Sequence, residues 1–173
     1  MREFSRTPRR RSRRGAQLVE AALVMIPFLA ILLAFFDISM VIFRWTTLQN
    51  AVREGCRYAV TFQRVSGMNQ DASIKKVVQS YSMGAVSATA TNPERITVNY
   101  YSIGAPNTPI LAPNGNVPGN IVEVTVPSYP WSWIAPLSGT FANPFYATSP
   151  LSITVRSADV MGGYPVGTIS VPR

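Results

Sequence analysis

The chain has 173 residues, with 16 Lys and Arg against 8 Asp and Glu, one cysteine and no histidine. A single cysteine excludes an intramolecular disulfide, and the lack of histidine excludes Ser-His-Asp, Cys-His and histidine–metal chemistry. The formal charge of +8 is not a nucleic-acid footprint: seven basic residues lie in the first 15 beside one acid, Glu3, and setting that segment aside leaves +2.

Those seven, Arg2, Arg6, Arg9, Arg10, Arg11, Arg13 and Arg14, abut an apolar run over residues 21–43 whose only charge is Asp37. As a helix the run is about 34 Å long at about 1.5 Å per residue, enough to cross one bilayer with some tilt. Under the positive-inside rule the basic flank is cytoplasmic and the C-terminus lies outside. A cleaved secretory signal is excluded because the run is too long and no small-x-small triplet follows it closely. A twin-arginine signal, suggested by Arg9-Arg10-Arg11 and Arg13-Arg14, fails on the strength of the run and the missing cut site. The remaining reading is a leader removed before the run, which stays as the anchor. Pro27 inside the run is expected to kink or loosen the helix. Asp37, near its outer end, is either hydrated at the headgroups or paired with another subunit.

No turn signal separates the run from an amphipathic pattern. Leu48, Val52, Gly55, Ala59 and Phe62 recur at three- and four-residue spacing, while Arg53, Glu54, Arg57 and Arg64 take much of the other face. Gly55 reads as a tight packing spot and Cys56 as a small, semi-buried residue. Val65-Ser66-Gly67 closes the long helix. Asn69 caps a second one, whose stripe is Ile74, Val77, Val78 and Tyr81 and which Gly84 stops. Alternation then marks three strands, around residues 96–101, 121–126 and 151–156, joined by Gly/Pro/Asn/Ser-rich stretches at 104–119 and 129–150. The second stretch holds Trp131 and Trp133, either a partner-binding surface or a cover for the sheet end. The tail after Gly162 shows no element. The expected fold is α+β: a cytoplasmic leader (1–15), a transmembrane helix continuing as an amphipathic one (16–64), and an outer domain (65–173) in which a second helix and a small antiparallel sheet pack against the long helix.

Arg14-Gly15-Ala16-Gln17-Leu18-Val19-Glu20 resembles the processing site of type IV pilins, where a membrane peptidase cuts after the Gly. Cleavage there makes Ala16 the mature N-terminus and Glu20 the fifth residue. Glu20 would offset the new amino group of a neighbouring subunit; the alternative is that it stays at the headgroups, paired with Arg13 or Arg14. With Pro27 and Asp37, and with LQNAVREGCRYA at residues 48–59 (Arg53, Glu54, Gly55, Arg57 and Tyr58 at its centre), the stretch 14–64 resembles the TadE-like family. These are minor pilin-like proteins, or pseudopilins, of the tight-adherence (Tad/Flp) pilus system. Val52 and Cys56 stand where the family pattern has alanines. Ser39 and Met40 stand where many members have Gly-Arg, so no role of that Arg transfers. The length is short for a member with an added adhesion domain. The resemblance implies a pilin-like layout, inner-membrane localisation, a prepilin peptidase, and pilins and Tad assembly proteins as partners.

Nothing in the sequence points to catalysis. Ser73-Ile74-Lys75-Lys76 matches S-x-x-K without the partner motifs that give it meaning. The carboxylates Glu20, Asp37, Glu54, Asp71, Glu94, Glu123 and Asp159 are isolated, and Gly162-Gly163 lacks a phosphate-loop context. The expectation is a structural subunit with no cofactor, no metal and no nucleic-acid partner. The alternative is an uncleaved, membrane-anchored binding module of the envelope.

Overall fold

The computed structural model describes residues 13–86, 95–111, 113, 115–131, 151–167 and 170–172, with backbone alone for residues 13 and 14. Two helices precede four strands: α1 (Arg13–Val60), α2 (Gln70–Tyr81), β1 (Thr97–Ser102), β2 (Ala105–Pro109), β3 (Ile121–Pro130) and β4 (Ser152–Val160). The described residues fall into two units, one holding α1 up to Ser39 and the other beginning at Met40.

The first unit is helix, uninterrupted through Pro27. Its apolar side chains face outward: Leu23, Ile26, Phe35 and Phe36 are all more than half exposed. α1 is the one helix among the described residues long and apolar enough to cross a membrane, and its most hydrophobic window is wholly unburied. A soluble core helix buries such a surface; this one offers it to lipid, and it reads as a single-pass anchor.

In the second unit α1 turns amphipathic. Leu48, Ala51, Val52, Cys56 and Ala59 are buried, and Arg53 and Arg57 stay exposed, on the faces their spacing predicts, while Arg64 is exposed beyond the helix. The helix stops at Val60, earlier than the expected close near Gly67. Phe62 takes a left-handed backbone (φ 54°), its N–H bonding to the Ala59 carbonyl, and buries its ring 4.6 Å from that of Tyr164. That conformation is costly for a bulky residue, and the burial of the ring compensates. Gly67, at φ +79°, instead supplies the turn that leads into α2. The Asn69 side chain caps α2 by accepting from the Ala72 N–H at 2.9 Å. Ile74 and Val78 point into the core as expected, Val77 is half-buried, and Tyr81 is half exposed rather than part of the stripe. Gln70 and Ser73 are buried in its place.

The sheet is antiparallel in the order β2-β1-β3-β4. Val98, Tyr100, Val122, Val124, Val126, Ile153 and Val155 line its inner face and form one core with α1 and α2. The expected three strands are present, and β2 is a fourth. Its sequence, Ala-Pro-Asn-Thr-Pro, has no apolar alternation because every residue is exposed, and two prolines are tolerated because it is an edge. β3 runs on through Tyr129 and Pro130, which the sequence assigns to a loop. An extra residue between Val126 and Tyr129 bulges the strand, with Ser128 at φ 49° and its N–H bonded to Thr154 Oγ1. Trp131 follows, buried; Trp133 and Ile134 lie outside the described residues.

Candidate functional site

The residues singled out in the sequence lie at two levels of α1. In the first unit, Gly15 and Ala16 occupy the opening turn of the helix, exposed, and a Cβ on Gly15 would meet nothing within 4 Å. Glu20 is exposed and borders a shallow groove with Gln17, Ala21, Val24 and Met25. Asp37 differs: it is 2% exposed and takes part in an interaction. Ser39 hides its hydroxyl by donating to the Phe35 carbonyl at 2.8 Å. In the second unit Thr47 does the same with Phe43 at 2.8 Å, as Thr46 does with Ile42 at 3.0 Å. Bonds of this kind spare a polar side chain most of its desolvation cost at the end of a membrane helix.

The second level is the segment Arg53 to Tyr58. Gly55 sits where α1, α2 and β3 converge: a Cβ built on it falls 2.5 Å from Val78 Cγ2 and 3.7 Å from Ile74 Cγ2 and Val124 Cγ1. Glycine is needed here for space. Cys56, beside it, is 2% exposed and its thiol donates to the Ser157 carbonyl at 3.0 Å. It lies 13 residues past the apolar run, about 20 Å along the helix, and burial in the core pushes the thiol's pKa up. A protonated, buried thiol suits packing rather than reaction. Arg57 reaches back to Glu54 at 3.2 Å on the solvent side, an exposed pair worth a few tenths of a kcal/mol. Arg53 is exposed, and Tyr58 packs at the core's edge. Ser73, the serine of the S-x-x-K match, donates to the Asn69 carbonyl and accepts from the Val65 N–H, while Lys76 is exposed.

One group of residues escaped sequence reasoning. The Gln70 amide donates to the Ala59 carbonyl at 3.0 Å, sharing with the Phe62 N–H an acceptor at the end of α1. Its oxygen accepts from Asn116 Nδ2 at 2.7 Å, and that nitrogen also donates to the Val171 carbonyl at 2.7 Å. The Gln70 N–H completes the set with the Pro172 carbonyl at 3.0 Å. Both side chains are buried. Their hydrogen bonds tie the end of α1, the start of α2 and the tail after Gly162 into one network, and no periodicity announces it. Among the described residues no three His, Cys, Asp or Glu side chains gather as metal ligands do.

A family model, that of TadE-like proteins, matches residues 15–57. The match begins at Gly15, crosses the apolar run, and ends at Arg57, within the Gly55 packing segment. No curated protein and no solved structure matches the chain significantly.

Proposed function

With a TadE-like segment at residues 15–57 as premise, we propose that this chain is a minor pilin-type, or pseudopilin, subunit of a tight-adherence pilus or a related secretion apparatus. A prepilin peptidase removes residues 1–15, and the mature chain waits in the inner membrane with its α+β domain outside. The observation that carries this reading is the division of α1. Its first half leaves most of its apolar side chains exposed, and its second half is locked into a domain through Gly55. A helix built this way can leave lipid for a bundle of like helices without unfolding the domain it carries. Glu20, exposed on the apolar half, costs roughly 2.5–3.5 kcal/mol near the centre of a bilayer and less toward its edge. The amino group of Ala16 on a neighbouring subunit would offset that cost. The role proposed is structural, and it agrees with the buried polar side chains Gln70, Ser73 and Asn116, which bond to one another or to backbone.

The test is the N-terminus of the membrane-extracted protein, from cells with and without a prepilin peptidase. A chain starting at Ala16 only when the peptidase is present supports the reading. An intact N-terminus in both overturns it in favour of the uncleaved anchored module.

A further inference from the structure

The sheet has two faces, and only one has a job so far. Leu48, Val52, Gly55 and Cys56 of α1, with α2, cover the inner face. On the outer face the register lines up three rows. Tyr101, Ile121 and Val160 stand side by side across β1, β3 and β4, then Asn99, Glu123 and Ala158, then Thr97, Thr125 and Arg156. In the first row Val160 is 48% exposed and Tyr101 and Ile121 are half-buried, and Ile103 (62%) in the turn after β1 and Leu111 (84%) just past β2 are exposed as well. A cluster of this kind rimmed by polar residues marks a contact surface. Beside it lie one carboxylate and one guanidinium. Glu123 accepts from Thr125 Oγ1 at 2.9 Å. Arg156 sits one diagonal step away across β3 and β4, roughly 7–8 Å between Cα atoms, and the one ion pair among the described residues is Arg57–Glu54, elsewhere.

We propose that this outer face is an interface with a second copy of the chain, packed sheet against sheet, in which Glu123 of each copy meets Arg156 of the other. The inference rests on the anchored reading above, which confines the copies to one membrane. Pairing β4 edge to edge with a second β4 would use neither the apolar row nor the acid and base beside it. The β2 edge carries Pro106 and Pro109 and lacks their N–H donors. A dyad lying between two sheets relates two copies of this outer face. It brings like face to like face, so the face must be self-complementary. One acid and one base set beside an apolar row satisfy that condition.

The test uses the full chain in the membranes of cells that produce it, carrying Ala158→Cys on the outer face and a thiol–thiol reagent of about 10 Å reach, the spacing of packed sheets. Cys56 is buried, and the parent chain reports any background from it. A cross-linked dimer is expected. Glu123→Arg alone or Arg156→Glu alone should lower it at least about tenfold through like-charge contact, and producing the two variants together should restore it as a heterodimer. Protease resistance identifies folded variants, and Glu123→Gln with Arg156→Gln replaces any that fail. No dimer in the Ala158→Cys chain, a dimer indifferent to charge reversal, or no rescue on co-production overturns the proposal, as does equal cross-linking from Thr61→Cys, exposed just past the end of α1. Alkaline extraction of the same membranes separates the two ideas: dimer lost with the chain still anchored refutes the interface and leaves the anchor standing.

Discussion

Gly55→Ala isolates the joint that holds the outer domain to the long helix. Glycine to alanine in a helix interior ordinarily gains about 1 kcal/mol. At this position the new methyl falls 2.5 Å from Val78 Cγ2, and a β-branched side chain in a helix has one strongly preferred rotamer, so it cannot swing clear. Either α2 moves outward or Val78 leaves its well, at about 1–3 kcal/mol for overpacking. The net expectation is a loss of about 1 kcal/mol, against the propensity trend. Val78→Ala alone opens a cavity beside Gly55 and costs about 2–3 kcal/mol. In the double variant the methyl of residue 55 enters that cavity, the clash is gone and the helix gain is realised. The pair should therefore be about 1–2 kcal/mol more stable than the sum of the single losses. Urea unfolding of the full chain in detergent, followed by tryptophan fluorescence, measures all four corners of the cycle. Additivity within about 0.5 kcal/mol, or a stabilising Gly55→Ala, would refute the claim that glycine is there for space.

Four further outcomes follow from the geometry. Asn116→Ala leaves Gln70 Oε1 and the Val171 carbonyl without their donor, so stability should fall by about 2–4 kcal/mol and carboxypeptidase should release the tail faster from the folded protein. At position 62 the usual order should invert, Phe62→Gly costing less than Phe62→Ala by about 1 kcal/mol in urea titrations, because both lose the ring but only glycine relieves the left-handed backbone. The raised pKa of Cys56 favours the protonated thiol in the folded state, so its contribution is complete below the ordinary thiol value of 9.0 and is lost as pH rises through the folded value. The stability gap between the parent and Cys56→Ala should narrow above that pH, and iodoacetamide should label the native chain more slowly than the urea-unfolded one. Gly15→Val should leave the fold untouched, since nothing lies within 4 Å of its added Cβ, while blocking conversion to the shorter form on an immunoblot; unchanged conversion would detach Gly15 from processing.

How much of this was legible in the residues depends on the length scale of the force concerned. The anchor and its amphipathic continuation were, because a run with one charge and a stripe at 3.6-residue spacing are local patterns that bury or expose whole faces. Alternation marked β1, β3 and β4 for the same reason. What stayed hidden was set by partners distant in sequence. β2 has no pattern of its own and is a strand only because β1 offers it hydrogen bonds. α1 stops at Val60 rather than near Gly67 because Tyr164, a hundred residues on, receives the ring of Phe62 and Gln70 takes up the Ala59 carbonyl. Gly55 was visible as a small residue on a packing face, yet its reason is the approach of Val78, which only the folded chain supplies. The tail after Gly162 shows the same dependence most clearly. With neither period nor cap it reads as featureless, but Val171 is buried and its carbonyl is claimed by Asn116. Such a segment adds no secondary structure; it closes the polar network at the junction of the two helices, and the domain that α1 carries is complete only when that network is.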